Sequence, residues 1–198
     1  MLIDDSLFKI KHNDTLPARG SILISEPFSQ EPYFQRSVVL LVDHSHKSSM
    51  GFVLNKKSNL FVNSFFKELE LCHEMPIYIG GPVSPNRLFF IHSLGEEVVP
   101  DSIKVNDHLY FDGDFESLKK YVLAGNSIQN KVKFFLGYSG WSEGQLNSEI
   151  EHDAWIVSKT TNHNVMFGDG ELLWKRMLES LGTNYAFWLQ IPKDPYLN

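Results

Sequence analysis

With a single cysteine, Cys72, in 198 residues, the chain cannot form an internal disulfide, which excludes the cross-linked framework of a small secreted domain. Basic charge is also scarce. Lys and Arg total 18 against 24 Asp and Glu, giving a formal net charge of −6, and no basic run is longer than a pair such as Lys56-Lys57 or Lys119-Lys120. This balance disfavours a phosphate backbone, so nucleic acid is not an expected partner, although net charge leaves open a local basic patch assembled by folding. The longest strongly apolar run, Val38 to Val42, has the length of a buried strand and is much too short to cross a bilayer. Asp4 and Asp5 stand where a signal peptide would carry its basic region. The expected setting is therefore a reducing, cytoplasmic one, with no membrane partner.

The standard catalytic and cofactor motifs are missing as well. There is no G-x-x-x-x-G-K-[ST] phosphate loop, and Gly168-Asp169-Gly170 lacks the third glycine of a dinucleotide fingerprint. His73-Glu74 is followed by Ile77 where a zinc protease needs its second histidine. In the GYSGW segment Trp141 replaces the second glycine of a nucleophile elbow, which removes Ser139 from that role. Asp43-His44-Ser45-His46 places two imidazoles at strand spacing but without further ligands, so no metal is assigned. No cofactor is expected, and no residue is assigned as catalytic.

What is present is enough apolar material, 42% of residues with 15 Phe among them, to fill a sizeable core. Residues 1–19 read as an N-terminal arm ending near Leu16-Pro17, and residues 20–198 as one domain without repeats or low-complexity breaks. Short runs rich in Val, Ile, Leu and Phe predict strands at 21–25, 37–44, 50–54, 77–79, 88–92, 109–111 and 132–138. A further pair, 154–158 and 164–167, reads as a hairpin around Thr160, Thr161 and Asn162.

Four helices are predicted. Phe61, Phe65, Phe66 and Leu69 recur at helical spacing. Asp114 caps a helix ended by Gly125, Ser142 and Gln145 form an S-x-x-Q capping box, and Asp169 caps a helix ended by Gly182. Many short strands with few helices, lacking regular strand-helix alternation, predict an α+β fold with a curved, largely antiparallel sheet.

Several segments then stand out for function. Tyr78 to Val83 leaves a strand through Gly80-Gly81-Pro82, which reads as a tight turn or as an anion-cradling nest. Gly140 and Trp141 lead into the capped helix, where Ser142, Gln145 and Glu149 share a face. His92 ends an apolar strand and reads as a core histidine or an acid-base group. Trp155, Trp174 and Trp188 read as packing residues.

Taken in order, Gly20–Pro27 (GSILISEP), Phe34–Val39 (FQRSVV), His44, Met50–Asn55 (MGFVLN), Tyr78–Val83 (YIGGPV), His92, Gly137–Leu146 (GYSGWSEGQL), Glu149 and Trp155 resemble the YqgE/AlgH family of bacterial proteins. The resemblance runs from about Gly20 to Gly182. It implies an α+β fold in which a bifurcated, largely antiparallel β-sheet closes into a pseudo-barrel with about four flanking helices. It also implies a bacterial cytoplasmic protein, one branch of whose family is associated with transcriptional regulation of exopolysaccharide synthesis. No helix-turn-helix pattern accompanies that label here. The family pattern marks His44, Asn55, Gly80, Gly81, Pro82, His92, Gly140, Trp141, Gln145 and Glu149 as candidate ligand-binding positions. One departure is Ser48-Ser49, where the family carries glycine-alanine before Met50-Gly51, so that loop has less backbone freedom.

Three functions compete on this reading, one of them, a DNA-associated regulator, motivated only by the family label. The first is a non-enzymatic regulatory domain that takes a small molecule or a protein partner in a polar groove between the GGPV turn and the GYSGWSEGQL helix. The groove would include an exposed Trp141. The alternative is a hydrolase-like enzyme using His44 or His92 with Glu149 as acid-base groups, which requires these side chains to converge.

Overall fold

The structure, a computed structural model, describes residues 9–10, 15–159 and 161–192. Its frame is a curled, half-barrel sheet with helices against both faces. One lobe comprises β1 (Ile22–Ser25), β2 (Val38–His44) and β3 (Ser49–Val53). The other contains β4 (Lys57–Phe61), β5 (Pro76–Ile79), β6 (Val83–His92), β7 (Ile103–Lys104) and β8 (Tyr110–Phe111). The ten-residue strand β9 (Val132–Trp141) joins the lobes, and β10 (Trp155–Ser158) closes the first. The main path runs β10-β1-β2-β3-β9-β6-β8-β7, while β5 pairs with β4 and lies parallel to β9.

The fork is made on β9. Its C-terminal half pairs with β3 through Ser139, Gly140 and Trp141, and its N-terminal half pairs with β5 through Phe134, Phe135 and Leu136. At the junction Gly137 has φ 67°, and the register against β6 slips between Leu88 and Val83. The slip reverses the alternation of side chains. As a result Phe135 and Tyr138, three residues apart, both face the inside of the curl.

Three apolar layers follow. Inside the curl, Phe52, Phe89, Phe111 and Phe135 meet Trp174 and Trp188. Outside the first lobe, Leu23, Val39, Leu41 and Val53 pack with Trp141, Trp155 and Leu146. Outside the second, Ile77, Phe90 and Phe134 pack with Leu118. Because both faces of β2 are covered, its first five residues are all buried, which is why Val38 to Val42 reads as an uninterrupted apolar run. Ile10, within the predicted arm, is buried in the inner layer, and the Ile10 amide donates to Asp153. Residues 1–8 and 11–14 of the arm fall outside the described residues.

The helices are α1 (Phe115–Leu123), α2 (Gln145–Glu151), α3 (Asn162–Phe167), α4 (Gly170–Ser180) and α5 (Ala186–Gln190). Asp114 caps α1 as predicted, accepting from the amides of Glu116 and Ser117, and Asp169 caps α4 by accepting from Gly170.

Two predicted elements are corrected. The helix expected from Phe61 to Leu69 is the end of β4 followed by two 3-10 turns, Val62–Ser64 and Lys67–Leu69. There the Asn63 side chain donates to the carbonyls of Leu69 and Cys72 and accepts from the Met75 amide, offering the backbone partners that a helix would have supplied. The expected hairpin does not form: 164–167 belongs to α3, whose N-cap is Thr161, accepting from the Asn164 amide. Thr160 lies outside the described residues. The edge pieces β4 and β7 and the short α5 carry too little periodicity to be read from sequence. No helix among the described residues is long and apolar enough to cross a membrane.

Candidate functional site

The diglycine turn sits at the fork. A Cβ on Gly80 would lie 2.3 Å from the Gly137 carbonyl oxygen and 2.7 Å from Phe52, and one on Gly81 would lie 2.4 Å from the Tyr138 carbonyl. Gly81 has φ 152°. These glycines let two backbones cross in contact. The crossing is fastened by the Gly80 amide donating to Leu136, the Val53 amide donating to the Gly80 carbonyl at 2.9 Å, and the Ser139 hydroxyl donating to the same carbonyl at 3.0 Å. Pro82, which follows, is exposed, as is Gly140.

Trp141 is buried rather than exposed, at 4% of its surface, because α2 covers it. The Trp141 indole N–H donates to Glu149 Oε2 at 2.8 Å, and that of Trp155 donates to the same oxygen at 2.7 Å. Gln145 Nε2 donates to Glu149 Oε1 at 2.9 Å, one helical turn away as the sequence predicted. The ring of Phe34 lies 6.4 Å from Trp141 and 5.3 Å from Trp155, so the three rings form one aromatic cluster. The capping box takes another form: α2 starts at Gln145 with Gly144 as N-cap, and Gln145 Oε1 accepts from the amide and hydroxyl of Ser142.

The histidines stand apart. His44 Nδ1 is 2.8 Å from Ser49 Oγ, and Ser49 is in register with Trp141, so His44 lies at the Glu149 end of the sheet. His92 is fully buried. One of its nitrogens faces the Asp112 carbonyl at 3.1 Å and the other accepts the Leu94 amide. Burial lowers its pKa, with the Asp112 carbonyl opposing. His92 pairs with Val132, at the opposite end of β9 from Trp141. Nine residues at about 3.3 Å each separate those ends by roughly 30 Å. The fold therefore does not bring His92 to Glu149. His46 lies past the end of β2 in an exposed loop. Among the described residues, no three His, Cys, Asp or Glu side chains gather as metal ligands.

Asn55 opens a different neighbourhood. It is buried, its Oδ1 accepts the Val38 amide, and its Nδ2 donates to the carbonyls of Arg36 and Gly170 at 2.9 and 3.0 Å. This staple draws the β1–β2 connection and the start of α4 together around a cleft of about 650 Å³. Its walls include Arg36, Lys56, Lys57 and Glu171. Arg36 bonds Glu171 and donates to the Ile191 carbonyl at 2.6 Å. Lys56 Nζ donates to the Gln35 carbonyl at 2.5 Å.

Next to this cleft, Lys133 is 4% exposed. Its amine donates to the Gly168 carbonyl at 2.6 Å and lies 4.0 Å from the centre of the Tyr78 ring. Burial pushes its pKa down to about 7, Asp169 opposing and Lys57 adding to the effect. Burial, and after it Asp169, pushes the Tyr78 phenol up. Sequence reasoning singled out neither Arg36 nor Lys133. The available signal for Lys133 was a lysine inside the otherwise apolar strand Val132 to Leu136.

A sequence model described as AlgH-like matches residues 22–186. The chain is 63% identical to the UPF0301 protein of Parabacteroides distasonis over 98% of both chains, and 45% identical to that of Bacteroides thetaiotaomicron over the full length of both. Among solved structures, the AlgH protein from Pseudomonas aeruginosa superposes with a TM-score of 0.71 at 25% identity, covering 92% of this chain and 98% of that one. A Corynebacterium diphtheriae protein superposes with a TM-score of 0.73 at 23% identity, covering 95% and 98%, a likeness of fold alone.

Proposed function

This chain belongs to the AlgH-like family, and from that premise we propose that it acts in the cytoplasm as a non-enzymatic, regulatory binding domain for a small molecule or a protein partner. Residues 20–198 work as one unit, with residues 1–19 as an arm. The observation that carries the reading is the engagement of every acid-base candidate in the frame. Glu149 accepts from two indoles and an amide, His92 has both ring nitrogens on backbone groups, and His44 is bonded to Ser49. General acid-base catalysis needs such groups presented to a reacting atom. The ten candidate positions then divide by task. Gly80, Gly81, Gly140, Trp141, Gln145, Glu149, His44 and His92 hold the fork and its ends, Pro82 remains on the surface, and Asn55 organises the cleft beside α4.

A thermal-shift screen of a metabolite library against the full chain, run alongside purification from a native source, tests the reading. A ligand that raises the melting temperature in proportion to the logarithm of its concentration, or a stoichiometric partner, is the expected result. The absence of both would overturn it.

A further inference from the structure

We propose that the cleft between the start of β4 and the first turn of α4 binds a compact oxyanion, a phosphate or carboxylate group carried by a small molecule. This rests on the reading of the chain as a binding domain and names the chemistry of what is bound.

The site is argued from four features that converge. The chain as a whole is acidic, at −6, yet Arg36, Lys56 and Lys57 line this cleft against the two carboxylates Asp169 and Glu171. Both carboxylates are turned to neighbours: Asp169 accepts the Gly170 amide, and Glu171 is held by Arg36 and, at 3.3 Å, by Lys175. The local field therefore favours an anion.

Arg36 is the second feature. Its side chain is 5% exposed, and its guanidinium lies 5.3 Å from the Trp174 ring. Its backbone is held at φ 51°, a conformation uncommon outside glycine. Yet its buried Nε has no hydrogen-bond partner. A buried cationic donor left in this way costs free energy, which an acceptor in the cleft recovers once the Arg36 side chain shifts to present Nε to it.

The third feature is α4 itself, an 11-residue helix whose N-terminus forms one wall. Of the first-turn amides the Asp169 side chain accepts only that of Gly170, and the helix ladder begins with the Leu173 amide donating to the Asp169 carbonyl. The amides of Glu171 and Leu172, both on cleft-lining residues, are thus the first-turn donors left for a ligand. Finally, a volume of about 650 Å³ suits a small molecule. A bare hydrophobe would find too many charged groups in these walls, and a cation would meet an excess of its own sign.

The probes are inorganic phosphate and citrate, titrated at constant ionic strength against chloride and followed by melting temperature and by amide NMR. The expected result is a rise in melting temperature beyond the chloride control with one or both anions. It should come with movement of the Glu171 and Leu172 amide resonances and a loss of affinity of about tenfold in Lys57→Glu, as for one charge reversed across an open cleft. Lys57 is exposed, so this variant should keep the fold, and Lys57→Arg should bind as wild type does. Phosphate alone, or citrate alone, would identify which oxyanion the cleft prefers. No shift beyond chloride, or binding indifferent to Lys57→Glu, would overturn the inference. If the anions fail while a library compound or stoichiometric partner still binds, the oxyanion assignment falls and the binding-domain reading stands. If nothing binds, both fall.

Discussion

Replacing Lys133 by Met should flatten the stability of the protein against pH above neutrality. The folded chain buries this amine between the Gly168 carbonyl and the Tyr78 ring, and desolvation lowers its pKa from 10.5 to about 7. The unfolded chain keeps an ordinary lysine, so above pH 7 it binds more protons at this site than the folded chain does. Stability therefore rises with pH, fully present once the unfolded lysine has also lost its proton and lost as pH falls through about 7. Each pKa unit is worth about 1.4 kcal/mol, so wild type should gain on the order of 3 kcal/mol between pH 7 and about pH 9.5.

The window is chosen to separate neighbours. His92, whose pKa is lowered, weakens the fold only as pH falls below its unfolded value near 6.5, and Tyr78, whose pKa is raised, weakens it only as pH climbs past its unfolded value near 10. Urea unfolding at half-unit steps of pH measures the free energy directly. Lys133→Met also leaves the Gly168 carbonyl without its donor, so its absolute stability is not the test; the slope is. Parallel profiles for wild type and Lys133→Met, or a wild-type profile that is flat or falling across the window, would refute the argument that burial holds this amine near neutrality.

Glu149→Ala removes the acceptor of two buried indole N–H groups, and at about 1–3 kcal/mol for each orphaned donor it should destabilise the fold by about 2–6 kcal/mol; urea unfolding and a shift in tryptophan emission check this. Gly80→Ala drives a methyl into the Gly137 carbonyl and Phe52, so it should prevent folding or cost several kcal/mol, whereas Gly144→Ala meets nothing within 4 Å and should cost only about 1–2 kcal/mol for its φ of 72°, both read by thermal melting. His92→Gln should lessen the loss of stability below about pH 6.5, because the group that the folded state keeps neutral is gone; acid unfolding curves show whether it does.

Local chemistry was legible in the chain wherever it acted within a few residues. Strands β1, β2, β3, β5, β6, β8 and β9, the caps at Asp114 and Asp169, and the pairing of Gln145 with Glu149 follow from side-chain type and spacing. The same local rules misled where a side chain took over from the backbone. Asn63 gathers the chain after β4 into two tight turns, and Thr161 starts a helix where a turn was expected. The YqgE/AlgH resemblance carried the forked sheet into view through motifs scattered along most of the chain.

What composition and pattern determined, then, was an α+β fold with a curved, largely antiparallel sheet, because the burial of apolar side chains follows their period along the chain. The tertiary structure alone decided what each marked residue does. Gly80 and Gly137 lie 57 positions apart yet must cross in contact, the Trp141 and Trp155 indoles share one carboxylate, and Asn55 ties Arg36 to Gly170 over a charged cleft. Contacts of that kind depend on where a curled sheet brings distant backbone together, and no spacing within a strand or helix encodes them.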